Sequence, residues 1–169
     1  MADTAKILVV DDNEMNRDML SRRLRRQKHD VVVAEDGQQA LDMVQAQDFD
    51  LILLDIMMPN ISGYDVLEQV KNDPQKNYIP IIMISAVDDL DSVVKCIELG
   101  AEDYLFKPFN PVLLKARVNA SLRKNRGVVA GGRIRQHVEQ ALSALAADDT
   151  ATARSNLEQI AALVQSDDR

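Results

Sequence analysis

The 169-residue chain has no tryptophan and one cysteine, Cys96, and aromatic residues make up only 4% of it. A lone cysteine cannot close an intramolecular disulfide, which points to a reducing interior. With so few rings, the core has to be aliphatic. No apolar run approaches the ~20 residues of a membrane-spanning helix, and Met1-Ala2-Asp3 opens without the apolar segment of a secretory leader. These absences predict a cytoplasmic protein with no membrane contact. Positive charge is also scarce: the net charge is −7, which opposes general attraction to nucleic acid or anionic lipid. DNA binding is not expected. What remains, 46% hydrophobic and 28% charged residues, is the composition of an ordinary folded domain.

Apolar runs alternate with amphipathic stretches from Lys6 to about Arg126. The spacing predicts strands near 6–10, 30–34, 50–54, 80–84 and 102–106, and helices over about 14–27, 37–47, 62–72, 89–99 and 111–124. Such alternation defines an α/β class, a doubly wound five-stranded parallel sheet covered by helices on both faces. Near-continuous apolar character in the third and fourth strands fits central positions buried on both sides. Asn13 reads as a helix cap, Gly100 as a helix stop, and Asn110-Pro111 as a cap followed by a first-turn proline.

Polar residues sit where these strands end. Asp11 and Asp12 close Ile7-Leu8-Val9-Val10, Asp55 closes Leu51-Ile52-Leu53-Leu54, Ser85 closes Ile81-Ile82-Met83-Ile84, and Lys107 closes Tyr104-Leu105-Phe106. Ligands of doubly wound sheets bind at the carboxyl ends of the strands, where strand order reverses. Carboxylates gathered there repel one another unless a cation neutralises them, and oxygen ligands favour Mg²⁺. A hydroxyl and an ammonium beside them form a receptacle for a phosphoryl group, with Asp55 as the nucleophile that takes it.

In this order and at these positions, Asp11-Asp12, Asp55 with Met58-Pro59, Ser85-Ala86, Tyr104 and Lys107-Pro108 resemble a two-component response-regulator receiver domain, CheY-like, over residues 5–126. The resemblance implies a flavodoxin-like sheet of order 2-1-3-4-5 and a phosphoacceptor role for Asp55, charged by a histidine kinase or phosphotransfer protein. It implies Mg²⁺ held by Asp12, Asp55 and the Met57 backbone carbonyl, with Asp11 acting largely through water. Lys107 would pair with the phosphoryl group, Ser85 would be the switch hydroxyl and Tyr104 the switch aromatic, and the Lys107-Pro108 peptide would be cis. The output would be a downstream protein target, and Lys95, Glu98, Asp103 and Arg117 would offer ion pairs for a homodimer. Such a domain is not an enzyme beyond slow loss of its own phosphoryl group. Met57 and Val87, apolar at positions flanking the site, predict that this loss is slow.

Other features weigh less. Arg22, Arg23, Arg25, Arg26 and Lys28 are a solvated basic end of the first helix or a docking site for the kinase. His29 and His137 have no companions that suggest metal binding or catalysis. A flavodoxin-like enzyme would need a phosphate-friendly loop after the first strand, which Asp11-Asp12-Asn13-Glu14 contradicts, and an aspartyl-phosphate hydrolase would need an acid or base near Asp55. The chain also reads as the receiver segment of a longer regulator with a cyclase, diguanylate cyclase or phosphatase output. Beyond a receiver over 1–126, residues 127–132 (Gly127 to Gly132) look like a linker, and 133–166 like a helical hairpin extension with a turn at Asp148-Asp149-Thr150.

Overall fold

The computed structural model describes residues 4–167, apart from the side chains at 128–130, 166 and 167. Strands β1 (Lys6–Val10), β2 (Asp30–Ala34), β3 (Leu51–Asp55), β4 (Ile81–Ser85) and β5 (Asp103–Phe106) alternate with helices α1 (Glu14–Arg26), α2 (Gly37–Ala46), α3 (Gly63–Asn72), α4 (Leu90–Glu98), α5 (Pro111–Ala146) and α6 (Thr150–Asp167). The sheet is parallel throughout, in the order β2-β1-β3-β4-β5. That is the expected doubly wound, flavodoxin-like arrangement.

Period-two alternation divides the core into two layers. Leu8, Val10, Ile52, Leu54, Ile81 and Met83 face one side, packed with Val44 of α2 and Val66, Leu67 and Val70 of α3. Ile7, Val9, Leu51, Leu53, Ile82 and Ile84 face the other, against Leu20 and Leu24 of α1 and Leu114, Val118 and Leu122 of α5. All five residues of β3 and of β4 are buried, as central parallel strands require. Each fully buried Leu or Ile stabilises the fold by roughly 1.5–3 kcal/mol, so aliphatic residues alone supply a sufficient core.

The helix ends are capped. Asn13 accepts from the Asn16 N–H at the start of α1, and Ser62 and Asp65 make a reciprocal capping box on α3. Gly100 follows α4 at φ +101, a conformation that glycine alone adopts without strain.

Three boundaries differ from the sequence-based expectation. Asp55 and Ser85 are the last residues of their strands and take part in the ladder, rather than following it. The stretch 127–132, expected as a linker, is helical, because α5 continues without a break from Pro111 to Ala146. The chain divides into two compact units, residues 1–122 and 123–169. In the second, α5 and α6 are joined by a turn in which Asp148 adopts φ 60 and Asp149 caps α6 through the Thr152 N–H.

Cys96 lies in the core at 0% exposure, and burial pushes its thiol up to about 11. It should therefore resist iodoacetamide in native buffer and react fully in denaturant. Rapid native alkylation, read by intact mass, would contradict this placement.

Candidate functional site

Pairing register brings the polar strand ends level. Val10 is opposite Leu54, so Asp11, one residue on, stands beside Asp55 at the point where strand order reverses. Asp55 pairs with Ile84, and Ser85 with Phe106, one residue before Lys107. Carboxylate oxygens of Asp11, Asp12 and Asp55 all lie within 4.8 Å of one another. The Lys107 ammonium is 2.7 Å from Asp11 Oδ2 and 3.5 Å from Asp55 Oδ2. Four residues separated by up to 96 positions thus meet at one rim of the sheet.

The two central acids are nearly out of solvent, Asp11 at 2% and Asp55 at 7% exposure, while Asp12 is exposed. Burial raises the Asp55 pKa above the usual carboxylate range; the Lys107 charge opposes this, and the nearby Asp11 carboxylate adds to it. Such a site is short of positive charge, and three converging oxygens fit a hard divalent cation. Asp11 is also held from the α1 side: its Oδ1 accepts from the Asn13 N–H at 2.9 Å and the Asn16 amide at 3.4 Å, and its carbonyl accepts from Arg17 at 2.8 Å.

Met57 follows β3 directly. Its N–H donates to Asp55 Oδ1 at 3.4 Å, and its thioether is 65% exposed. Ser85 is buried, with its Oγ accepting from the Val87 N–H at 3.2 Å. Tyr104 is turned inward at 8% exposure, and its hydroxyl donates to the Val87 carbonyl at 2.6 Å. The Lys107-Pro108 peptide is cis. Within the chain, Asp103 and Arg117 pair with each other at 3.1 Å, and the Lys95 ammonium lies 4.1 Å over the Tyr64 ring.

Gly63 was not singled out by its sequence, yet it bears directly on Asp55. A Cβ there would fall 2.1 Å from the Asp55 carbonyl oxygen and 2.7 Å from the Ile56 Cα. The Gly63 N–H donates to the Ile56 carbonyl at 2.8 Å, so the start of α3 is seated on the end of β3. Asn16 and Arg17 were missed too; their only sequence signal is the polar first turn of α1 after Asp11.

With this rim of acids, hydroxyl and lysine on a 2-1-3-4-5 sheet, the class of protein is defined, and comparison with known proteins agrees. Residues 7–119 match the response regulator receiver domain family, and the chain belongs to it. It is 43% identical over 120 residues to the alkaline phosphatase synthesis transcriptional regulatory protein PhoP of Bacillus subtilis, covering 71% of this chain and 49% of that protein. It is 41% identical over 120 residues to the response regulator PleD of Caulobacter vibrioides, covering 71% of this chain but 26% of PleD. Among solved structures, the chemotaxis protein CheY4 of Vibrio cholerae is 32% identical with a TM-score of 0.67, over 70% of this chain and 99% of CheY4. The chain spans about half the length, or less, of the curated relatives it matches. It is a receiver of two-component signalling, in a family of regulators. Among the described residues, no helix is long and apolar enough to cross a membrane.

Proposed function

We propose that the chain is a phosphorylation-driven switch whose acceptor is Asp55. The observation that carries this reading is the Lys107 ammonium, shared between Asp11 and Asp55 at the carboxyl rim of the sheet. In the transfer, an Asp55 carboxylate oxygen attacks phosphorus of a partner's phosphohistidine, the phosphorus–nitrogen bond breaks, and the released imidazole takes up a proton. Asp12, Asp55 and the Met57 carbonyl would hold Mg²⁺, with Asp11 behind them; when bound, it supplies positive charge against the phosphoryl oxygens. Lys107 contributes an ammonium already within reach of Asp55. Ser85 Oγ turns from the Val87 N–H to donate to a phosphoryl oxygen, and Tyr104 fills the space behind it. The face formed by α4, β5 and the start of α5 then carries the change to a protein target or to a second copy.

The histidine-bearing partner is proposed to dock on α1 beside the rim. A cavity of about 430 Å³ lined by Met19, Arg23, Ala86, Lys107, Pro108 and Phe109 opens there, with Arg23 5.5 Å over the Phe109 ring. Output through protein rather than DNA is supported by α6, whose only described cation, Arg154, pairs with Glu158 at 3.3 Å. A second reading, the receiver part of a longer regulator, is favoured by the small share of PleD and PhoP that the chain covers; it changes the output and leaves the chemistry at Asp55 the same.

The test is intact mass after incubation with acetyl phosphate and Mg²⁺. One added phosphoryl group that maps to Asp55 supports the reading; no addition, or addition elsewhere, overturns it. The phosphoryl-aspartate should also be long-lived, because neither the Met57 thioether nor the half-buried Val87 side chain can orient an attacking water. Placing an amide there, Met57→Gln, should speed decay by about tenfold. Fast loss from the native protein once donor is removed counts against this account.

A further inference from the structure

We infer that the hairpin of α5 and α6 is a self-association module, in which two copies of the chain pack their hairpins face to face and antiparallel as a four-helix bundle. Within the hairpin, the buried positions are small: Ala141 and Ala144 of α5 and Ala153 and Asn156 of α6 are each at most 9% exposed, and His137 Nδ1 meets Asn156 Oδ1 at 2.9 Å. The large apolar residues stand one position later. Val138, Leu142 and Leu145 follow His137, Ala141 and Ala144, while Leu157 and Val164 follow Asn156 and Leu163.

One residue is a turn of about 100° around a helix axis. Seen from one end, the two helices of an antiparallel hairpin wind in opposite senses, so a single step on each rotates both rows to the same side. The result is one apolar face across both helices, its five side chains 40–63% exposed. Such a face matches the core layer of a helical bundle.

Charge selects a second copy in antiparallel order. Arg133 and Arg135 stand at the open end of the hairpin, and Asp148 and Asp149 at its turn. A twofold that reverses the hairpins sets each arginine pair beside the partner's aspartates, whereas parallel packing sets like against like. Arg154, near the turn, is held by Glu158 of its own helix. Five apolar side chains per copy make a small interface, so the association is reversible and concentration-dependent.

Sedimentation equilibrium of the full chain without phosphodonor tests this, with Asp55→Asn run in parallel so that the result is independent of the phosphorylation reading. Both proteins should dimerise alike. The double variant Leu142→Ala/Leu157→Ala should weaken the dimer at least about tenfold with no loss of helicity, since alanine is the best helix former. Added salt should weaken the native dimer further. A monomer at all concentrations, or a dimer unmoved by the double variant, overturns the inference.

Discussion

Asp55→Asn should accept no phosphoryl group from acetyl phosphate and Mg²⁺, and in chelator it should unfold at a higher temperature than the native protein at neutral pH. The first effect is a complete loss, because an amide nitrogen or oxygen offers no nucleophile of comparable strength. The second follows from the raised Asp55 pKa, whose causes are burial first and the neighbouring Asp11 carboxylate after the opposing Lys107 charge. A carboxyl with a pKa higher in the folded chain than in the unfolded one stabilises the fold when protonated and loses that contribution as pH rises through its folded pKa. The asparagine variant therefore gains most above that pKa, and its advantage should shrink toward acid pH and vanish below the ordinary carboxylate range. Lys107 keeps its 2.7 Å bond to Asp11 in the variant, so no buried cation is stranded. A melting series across pH in chelator checks the sign; a variant less stable at neutral pH would show that the Lys107 pairing outweighs desolvation at Asp55.

Gly63→Ala should be among the most damaging single substitutions in the chain, costing on the order of 3–5 kcal/mol. The added Cβ would meet backbone, the Asp55 carbonyl oxygen at 2.1 Å, rather than a side chain able to swing aside. Relief requires α3 to lift from the end of β3, which breaks the Gly63 N–H bond to Ile56 and displaces the peptide that carries the acceptor. Urea unfolding should show a lower midpoint, and whatever folded protein remains should phosphorylate poorly. Near-native stability with normal phosphorylation would mean that the helix shifts without cost. Gly127→Ala is the control: an added Cβ meets nothing within 4 Å there, and stability should hold or rise slightly.

How legible the molecule was in its sequence depended on the range of the interactions involved. Asp11, Asp55, Ser85 and Lys107 were readable because each ends an apolar run and parallel sheets collect such ends at one rim. The shift of Asp55 and Ser85 into the ladder was not, since an apolar run reports burial while ladder membership depends on a neighbour strand's register. Residues 127–132 were misread because glycine marks a break only weakly: at ~1 kcal/mol per residue it is tolerated where the helical pattern continues on both sides, and proline, a stronger breaker, is absent there. Gly63 was hidden for a different reason. Its constraint is the close approach of a distant backbone, and no local pattern encodes that.

The scarcity of aromatic residues has a practical outcome at β5. With no tryptophan, ultraviolet emission from this chain comes from its three tyrosines. Each sits in a distinct setting: Tyr64 under the Lys95 ammonium, Tyr78 with its hydroxyl 3.3 Å from Asp48, and Tyr104 enclosed against the Val87 carbonyl. One of the three optical probes is therefore placed in β5 itself, so the emission of Tyr104 reports, without a label, on the surroundings of the strand that ends beside Lys107.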